Sequence, residues 1–330
     1  MLAVKYNGIG DVRTEDIPKP VCAPGNVLIK VAYAGICGSD LHIYRKGMFV
    51  TYLRETMGHE FSGVVESIGE GVQGLEPGDH VVGDPRVTCG KCRWCRQGAF
   101  NLCPELGFIG EVSPGCFAEY IEMNVKKILK VPPEINLRRA ALVEPVAVAL
   151  HAVDQGKITE KDSLGIVGAG PVGLLTIAVA KALRVKEITV LDISPARLEL
   201  ARRLGADKVI TAFPEECSGA IDVAVDAVGK EITLNGILNW LNPKGRLVMV
   251  GLYEEKANFD PNSVVTKELD LIGVNAYETT HLERAIDFLI DCSPDIEQVI
   301  THVLPLESAG EAFSLLNSAG TGAAKILLAP

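Results

Sequence analysis

The sequence lacks any run of basic residues that could bind a polyanion. Its 42 Asp and Glu side chains outnumber 32 Lys and Arg, and the formal net charge is −10. This balance argues against a nucleic acid or an anionic membrane surface as a partner. We therefore expect the protein to bind a small molecule.

The sequence also lacks the features of a secreted or membrane protein. Residues 1–11 contain no basic stretch followed by an apolar run, so we expect no secretory signal and a cytoplasmic location. The uncharged stretch 163–180 is long enough to span a bilayer. Its residues 165–173 hold four glycines and a proline, however, which predicts a strand, a tight turn and a helix. We expect no membrane partner.

No stretch rich in Gly, Ser or Pro divides the chain, but its length predicts two domains. A chain of 330 residues exceeds what one hydrophobic core usually organises. Residues 27–33 and 63–68 are short β-type runs bounded by Gly and Pro, typical of a mostly β domain. From residue 164, apolar strands alternate with helices, which predicts an α/β region with a parallel sheet covered on both faces. The strands expected in that sheet are residues 164–168, 188–192, 208–210, 223–226, 246–251 and 269–274.

A glycine-rich turn follows the first of these strands. Its sequence, Gly-Ala-Gly-Pro-Val-Gly, precedes a predicted helix at residues 172–183, which is the context that a dinucleotide-binding turn requires. Glycines there allow a tight turn and let the backbone approach a pyrophosphate at the helix N-terminus. Other α/β proteins also contain glycine-rich turns, so the pattern alone does not decide. The residues predicted to bind the cofactor at this turn are Gly168, Gly170, Pro171, Val172 and Gly173.

Asp192 strengthens the prediction of a nicotinamide cofactor. It ends the next predicted strand, 19 residues after Gly173, where an acid that binds the adenosine ribose belongs. A carboxylate there accepts hydrogen bonds from both ribose hydroxyls and repels a 2′-phosphate, so we expect NAD rather than NADP. Arg197 lies five residues further on and could neutralise a phosphate, cover the adenine or pair with Asp192. We take the carboxylate as the better discriminator.

Four of the nine cysteines fall within fifteen positions of one another. They are Cys89, Cys92, Cys95 and Cys103. Disulfides, an iron–sulfur cluster and free thiols are alternatives, but an odd total in a chain expected to be cytoplasmic argues against a disulfide framework. The short gaps and nearby glycines suit a tetrahedral zinc site. Since four thiolates leave no open coordination position, such a zinc would be structural.

A second, dispersed set of side chains suits a metal with an open position. Cys37 begins the segment Cys-Gly-Ser-Asp-Leu-His, His59 is followed by Glu60, and Glu144 stands further along. Each fragment alone is common in protein cores and on surfaces. Together, a thiolate, an imidazole and carboxylates suit a zinc ion that keeps one position for water or substrate.

With these motifs, the chain resembles the zinc-containing medium-chain dehydrogenases over essentially its whole length. The likeness is strongest to polyol (sorbitol), butanediol and threonine dehydrogenases, and it includes residues 58–60 (Gly-His-Glu) and 300–305 (Ile-Thr-His-Val-Leu-Pro). The resemblance implies a GroES-like, mostly β catalytic domain at residues 1–150 and 277–330. It implies a doubly wound Rossmann domain that binds NAD at residues 151–276. It further implies a homotetramer, and residues 269–274 would form an apolar edge strand open to pairing.

The resemblance also assigns roles in catalysis. Cys37 and His59 would hold the catalytic zinc, while the two glutamates would coordinate it or hold its water. Asp40 would orient His59. Ser39 and His42 would carry the substrate's hydroxyl proton to solvent. The residues so assigned to catalysis are Cys37, Ser39, His42, His59, Glu60 and Glu144. The implied reaction is oxidation of a secondary alcohol to a ketone with hydride transfer to NAD, in a chain holding two zinc ions.

The sequence narrows the substrate only in part. Primary-alcohol dehydrogenases carry a cysteine where this chain has Glu144, which favours polyols, diols and amino alcohols. Sorbitol dehydrogenases place a tyrosine directly after the relay histidine and an arginine in the last Rossmann strand. This chain instead has Ile43 followed by Tyr44, and Asn-Ala-Tyr at residues 275–277. A threonine-type enzyme and a sugar-phosphate or aminocyclitol dehydrogenase stay open. So does a zinc-stabilised dinucleotide-binding module, against which the complete set of site residues argues.

Overall fold

Two units organise the chain. The computed structural model describes residues 1–50, 55–214, 219–318 and 320–330. The first unit comprises Met1–Glu144, Glu278–Asp291 and Ile300–Pro330. The second comprises Pro145–Tyr277 and Cys292–Val299. Among the described helices, none combines the length and the apolar character that a membrane crossing requires.

Strands dominate the first unit, and helices alternate with strands in the second. The strands of the described residues are β1 (Leu2–Gly8), β2 (Asp11–Asp16), β3 (Asn26–Gly35), β4 (Glu60–Ile68), β5 (His80–Gly83), β6 (Arg86–Val87), β7 (Gly107–Phe108), β8 (Tyr120–Asn124), β9 (Ile128–Lys130), β10 (Ser163–Val167), β11 (Glu187–Leu191), β12 (Lys208–Ile210), β13 (Ile221–Asp226), β14 (Leu241–Met249), β15 (Asp270–Gly273), β16 (Ile300–Pro305) and β17 (Lys325–Ala329). The helices are α1 (Gly38–Lys46), α2 (Arg93–Arg96), α3 (Leu137–Ala140), α4 (Val143–Gln155), α5 (Pro171–Ala182), α6 (Pro195–Arg203), α7 (Glu231–Trp240), α8 (Pro261–Lys267), α9 (Thr280–Asp291) and α10 (Ala309–Asn317).

Six strands of the second unit form one parallel sheet. Their order is β12-β11-β10-β13-β14-β15, which is the 3-2-1-4-5-6 order of doubly wound dinucleotide-binding sheets when β10 is counted first. The central strands are apolar on both faces, and Ile166, Val190 and Val225 are fully buried, because helices cover both sides. The predicted parallel sheet is confirmed. One strand, β14, begins earlier than predicted, because Leu241 pairs with Ile221 before the register shifts.

Seven strands of the first unit form a mixed sheet. The order is β16-β17-β3-β4-β5-β9, with β8 also paired to β3. The last strand, β17, pairs antiparallel with β3 and parallel with β16, so the end of the chain lies beside the long central strands. Apolar side chains from these strands and from α10 fill the core, among them Ile29, Phe61 and Phe313, together with Phe117 from the loop before β8.

The limits of the two units differ in places from the expected domains. The expected limit at residue 150 falls inside α4. Residues 292–299, which we expected in the first domain, belong to the second unit. The reason is packing, since the 3₁₀ turn Pro294–Val299 lies against α5 and α6 of the Rossmann sheet.

Candidate functional site

The four clustered cysteines converge on one point in the first unit. Cys92 caps α2, and its sulfur accepts a hydrogen bond from the backbone N–H of Cys95 at 3.4 Å. Cys103 ends the 3₁₀ turn Phe100–Leu102, and its sulfur accepts one from the N–H of Cys89 at 3.5 Å. All four sulfurs lie within 4.8 Å of one another.

The sulfur spacing separates the alternatives for this lobe. The Cys89 sulfur lies 3.6 Å from that of Cys103 and 4.0 Å from that of Cys95, and all four thiols are free. A disulfide would need about 2.05 Å. Ligands about 2.3 Å from a tetrahedral zinc lie about 3.8 Å from one another, which agrees with the observed spacing. An iron–sulfur cluster would spread the thiolates further, because several irons and sulfides lie between them. The lobe therefore fits a single zinc ion.

Backbone N–H groups of the lobe favour the deprotonated, negatively charged form of the Cys89 thiol. The N–H groups of Lys91 and Cys92 lower the pKa of the Cys89 thiol to about 7. Burial raises the pKa of Cys95 to about 11, so this thiol needs a cation before it ionises. A metal ion that binds all four sulfurs satisfies both conditions.

Three donors of the dispersed set also meet in the first unit. Cys37 directly precedes α1, and Glu60 begins β4, where it pairs with Gly35 of β3. The Cys37 sulfur, a ring nitrogen of His59 and a carboxylate oxygen of Glu60 lie within 4.8 Å of one another. Three ligands of these types fit a four-coordinate zinc that keeps one position open.

The negatively charged groups around His59 favour the binding of a positively charged ion there. Burial would lower the pKa of His59, but the Asp40 carboxylate and the Cys37 thiol raise it well above its usual value. Asp40 Oδ1 faces His59 Nδ1 at 3.8 Å, and neither atom has another hydrogen-bond partner among the described residues. A small movement would join them and leave Nε2 for a metal on the side of Cys37. Asp40 therefore lies beside His59, and its role in orienting the imidazole stays a prediction.

A buried cation that the sequence analysis missed binds Glu60. Nζ of Lys325 contacts Oε2 of Glu60 and donates a hydrogen bond to the carbonyl of Ile36 at 3.0 Å. Both charged side chains are only 1% exposed. Gly35 makes room for the pair, because a Cβ there would collide with both side chains. The available signal was a lysine inside an otherwise apolar closing strand, but its partner is 265 positions away.

The other predicted catalytic residues lie around this cluster. Glu144 is buried near the start of α4 and helps to raise the pKa of His59. It lies outside the group of three donors that are within 4.8 Å of one another, and its role as a ligand or as a holder of the metal's water stays a prediction. Ser39 and His42 are both half-buried on α1, three residues apart, which puts them on one side of the helix.

The loop after β7 is packed directly against the residues before His59. The N–H of Cys116 donates to the carbonyl of Gly58 at 3.0 Å. A Cβ on Gly110 or on Gly115 would collide with the backbone of Gly58, and Gly58 and Gly110 both have positive φ. Only glycine allows this close approach of two backbones. The loop is therefore held in register with the metal site.

The loop after β7 also carries Glu111, which the sequence analysis missed. The ring of Phe108 lies 5.5 Å from the imidazole of His59. Glu111 is buried on the same loop, and burial raises its pKa to about 7 although the His59 imidazole opposes the shift. The sequence offered no signal for Glu111, because a single acid in a loop between short strands is usually exposed.

The glycine-rich turn of the second unit has the predicted geometry. Gly168 follows β10 with a φ of +98°, Gly170 caps α5, and Pro171 is the first residue of that helix. A Cβ on Gly173 would collide with the carbonyl of Gly168, so only glycine lets the helix pack against the turn. The free backbone N–H groups at the start of α5 can bind a pyrophosphate.

Asp192 lies next to this turn, directly after β11. Its Oδ2 accepts a hydrogen bond from the N–H of Ala169 at 2.7 Å, and its Oδ1 accepts one from Ser194 at 2.8 Å. Each oxygen keeps a lone pair that can accept from a ribose hydroxyl. Arg197 lies on the first turn of α6, whose N-cap is Ser194.

A third aspartate, also missed, joins the loops at this edge of the sheet. Asp226 is fully buried and pairs in register with Val167, the residue before the glycine-rich turn. Its carboxylate accepts hydrogen bonds from Val228 N–H (3.0 Å), Gly229 N–H (3.2 Å) and the hydroxyl of Tyr253 (2.7 Å). Burial and this carboxylate raise the pKa of Tyr253. Since ligands bind at the carboxyl ends of such strands, Asp226 stabilises the loops that receive the cofactor.

Tyr44 and Tyr277 lie near the two positions at which this chain departs from sorbitol dehydrogenases, and both side chains pack against other parts of the protein. The ring of Tyr44 packs against Phe313 of the core, with ring centres 5.3 Å apart. Tyr277 is completely buried.

Comparisons with known proteins agree with this architecture. A family model described as Alcohol dehydrogenase GroES-like domain matches residues 23–133, and one described as Zinc-binding dehydrogenase matches residues 171–291. Sorbitol dehydrogenase of Bacillus subtilis (strain 168) is 32% identical over 326 residues, which cover 94% of this chain and 92% of that protein. (R,R)-butanediol dehydrogenase of the same strain is 37% identical over 298 residues, covering 84% and 85%. A structure solved as a zinc-binding dehydrogenase from Sinorhizobium meliloti 1021, bound to NADP, has a TM-score of 0.92 at 29% identity and covers 100% of this chain and 99% of its own. The predicted GroES-like and Rossmann fold class is confirmed.

Proposed function

The chain belongs to the zinc-containing medium-chain alcohol dehydrogenase family, and on that premise we propose that it oxidises a secondary alcohol to a ketone with hydride transfer to NAD. The observation that carries the proposal is the meeting of Cys37, His59 and Glu60 within 4.8 Å at a site that favours positive charge. When bound, zinc supplies a Lewis acid that eases loss of the hydroxyl proton, and NAD supplies the acceptor of the hydride.

Residues of the first unit would position the metal and move the proton. Asp40 orients the imidazole of His59 so that one nitrogen stays free for the metal. Ser39 receives the proton from the substrate hydroxyl and passes it to His42, which is partly exposed and can release it to water. Lys325 holds Glu60 beside the cluster, where its carboxylate is available as a ligand or as an acceptor for water.

The buried carboxylate of Glu144 is the reason to propose a substrate with a second polar group. Its buried carboxylate lies close enough to the metal site to act on His59. A hydroxyl or amine beside the reacting carbon can donate a hydrogen bond to such an acceptor, whereas ethanol would leave it unpaired. Sorbitol and butanediol, which give two relatives their names, both carry more than one hydroxyl. We therefore infer that polyols, vicinal diols or amino alcohols are the substrates.

Asp192 supports NAD as the preferred cofactor. Its carboxylate is held at the edge of the glycine-rich turn by two backbone N–H groups, where a 2′-phosphate would be repelled. One similar structure contains NADP, so the preference needs a direct measurement. We expect kcat/KM to be higher for NAD than for NADP, and equal values would contradict the assignment.

We further propose two zinc ions per chain and a homotetramer in a reducing compartment such as the cytoplasm. The closed four-sulfur lobe and the open mixed cluster have different chemistry, and a lobe of four thiolates requires reduced cysteines. The edge strand β15 presents Leu271 to solvent, and an apolar edge favours pairing with a second copy. Metal analysis that finds one zinc in fully loaded protein, or light scattering that finds a monomer, would contradict these points.

The reaction is tested by NAD reduction with a panel of alcohols. We expect kcat/KM to be lowest for ethanol and intermediate for 2-propanol. The highest value should belong to one of the three compounds with a second polar group, which are 2,3-butanediol, a polyol and threonine. His59→Ala should abolish turnover while the four-cysteine lobe keeps its zinc, which makes it the control for a folded but inactive protein. Highest efficiency with ethanol would refute the substrate class. Lack of NAD reduction on every alcohol by zinc-loaded protein would refute the reaction.

A further inference from the structure

The proposed cofactor is a dinucleotide, and the Rossmann sheet of the second unit has two halves that each bind one of its nucleotides. Strands β10, β11 and β12 form the half that carries the glycine-rich turn and Asp192. The adenosine lies on that side and the pyrophosphate lies at the turn. The nicotinamide nucleotide therefore belongs to the half formed by β13, β14 and β15.

The loops after β13 and β14 lie at the edge of the sheet where this second nucleotide must bind. The loop after β13 touches the glycine-rich turn, because a Cβ on Gly168 would collide with the side chain of Val228. The loop after β14 touches the loop after β13, because a Cβ on Gly229 would collide with the carbonyl of Leu252. Contact thus runs without a break from the turn to both loops, and Leu252 is left 48% exposed on the second loop.

Tyr253 joins these two loops through the carboxylate of Asp226. The tyrosine hydroxyl donates a hydrogen bond to Oδ2 of Asp226 at 2.7 Å. The other carboxylate oxygen accepts from the N–H groups of Val228 and Gly229, both in the loop after β13. The backbone carbonyl of Asp226 accepts from the N–H of Gly251, in the loop after β14, at 2.9 Å. Asp226 is thus the common anchor of both loops.

The hydroxyl of Tyr253 has a part in this anchor that the other donors do not share. The remaining donors to the side chain of Asp226 lie between residues 228 and 233, so among the described residues only Tyr253 reaches the carboxylate from the loop after β14. Asp226 is completely buried, and a hydrogen bond to a buried charged acceptor is stronger than one between neutral groups in water. Removing the hydroxyl would therefore loosen the second loop and leave the first one capped.

The far end of the second loop is held independently of Tyr253. The N–H of Asn258 donates to the carboxylate of Glu231 on α7 at 2.9 Å, and the side chain of Asn235 donates to the carbonyl of Asn258 at 2.8 Å. These bonds keep the loop attached to the unit when the tyrosine hydroxyl is absent. Loss of that hydroxyl should consequently act on the part of the loop beside the cofactor rather than on the whole loop.

We propose that Tyr253 is a positioning residue for the nicotinamide half of the cofactor, because its hydrogen bond to Asp226 holds the loop after β14 in the place where that half binds. This inference rests on the proposed NAD-dependent reaction. Tyr253 acts through Gly251 and Leu252, its neighbours in the chain. Its hydroxyl should matter for the whole dinucleotide and should not matter for the adenosine half alone.

The test compares two ligands that share the adenosine and the pyrophosphate. NADH contains both halves, whereas ADP lacks the second ribose and the nicotinamide. We would measure both dissociation constants by calorimetry on zinc-loaded wild type, Tyr253→Phe and Lys267→Met. Lys267 is the control because its Nζ donates to the carbonyls of Leu238, Asn239 and Leu241, where α7 ends and β14 begins. Its loss weakens the same unit at the opposite edge of the sheet.

Tyr253→Phe should raise the dissociation constant of NADH by about tenfold, the effect of one lost hydrogen bond to a charged group, and should change that of ADP by less than about twofold. Lys267→Met should leave both constants unchanged. The proposal is overturned by an unchanged constant for NADH in Tyr253→Phe, by equal weakening of NADH and ADP, or by the same weakening of NADH in Lys267→Met.

A measurement on the wild-type protein decides if Tyr253→Phe does not fold. Amide hydrogen exchange at residues 250–258 should slow when NADH binds and should not slow when ADP binds. Equal protection by the two ligands overturns the placement on which the role of Tyr253 depends. Absence of binding by both NADH and ADP contradicts the proposed NAD-dependent reaction itself, whereas binding of both without the expected difference contradicts only the role of Tyr253.

Discussion

Replacing Lys325 with Met should destabilise the first unit more than any exposed lysine substitution. The change keeps a long, unbranched side chain, one atom shorter than lysine, but removes the cation that contacts Glu60. Both partners are 1% exposed, so Glu60 would stay buried without a counter-charge. Breaking a buried pair in this way costs about 3 to 5 kcal/mol, and the carbonyl of Ile36 would lose its donor as well. A loss of that size is a large part of the 5 to 15 kcal/mol that is typical of folded domains, so about 3 kcal/mol is the least we expect.

Two controls separate burial from charge. Lys208 pairs with Glu187 at 2.8 Å on the surface, where the side chains are 62% and 36% exposed. Lys208→Met should therefore cost less than about 1 kcal/mol, because water screens that pair. The double variant Glu60→Gln, Lys325→Met should be more stable than Lys325→Met alone, since no charge is left buried without a partner.

The assay is guanidinium unfolding followed by circular dichroism, with zinc content measured for each protein. Because Glu60 is also a candidate zinc ligand, only preparations with equal zinc content are compared. Lys325→Met should unfold at a clearly lower denaturant concentration than wild type or Lys208→Met. Equal midpoints for the two single variants, or no recovery in the double variant, would refute the argument from buried charge.

Three further predictions follow from the other sites. Cys103→Ser should lower the zinc content from two to one per chain and destabilise the lobe, because structural zinc binding is linked to folding by about 10 kcal/mol or more; a variant that keeps both ions contradicts the assignment. Asp192→Ser should shift the ratio of kcat/KM toward NADP by about 1 to 3 kcal/mol, and an unchanged ratio contradicts the role of the carboxylate. The pKa of Glu111 is about 7 in the folded protein against an ordinary 4.5, so its contribution to stability is complete below about pH 4.5 and is lost as the pH rises through about 7. Glu111→Gln should therefore gain up to about 3 kcal/mol relative to wild type between about pH 5 and pH 8, and an equal difference in unfolding midpoint at both pH values contradicts the shift.

Features with a local cause could be predicted from the sequence. The glycine-rich turn needs only its own residues and the helix that follows, so Gly168 and Gly173 could be assigned before the structure was known. The four sulfurs of the lobe come from one short segment, which alone brings them together. The parallel sheet follows from the alternation of apolar strands and helices, and all six of its strands are present.

Features that depend on long-range packing could not be predicted. The sequence suggests that a lysine in an apolar strand needs a partner, but it does not say that the partner of Lys325 is Glu60. The close approach of Gly110 and Gly115 to Gly58 is a contact between backbones of two loops, for which no side-chain pattern gives a signal. The position of Glu144 outside the three-donor cluster is likewise a matter of distances that spacing along the chain cannot supply.

The stacked glycines beside the metal site limit how this enzyme can change its specificity. A Cβ on Gly110 or Gly115 would collide with the backbone of Gly58, and a Cβ on Gly58 would collide with the ring of Phe117. An insertion or deletion between Gly110 and Gly115 would shift one glycine out of this stack and displace His59 with it. In laboratory evolution, new substrates should therefore arise through exchanges of side chains at positions such as Phe108, whereas grafting a loop of different length from a relative should yield protein that no longer retains its catalytic metal.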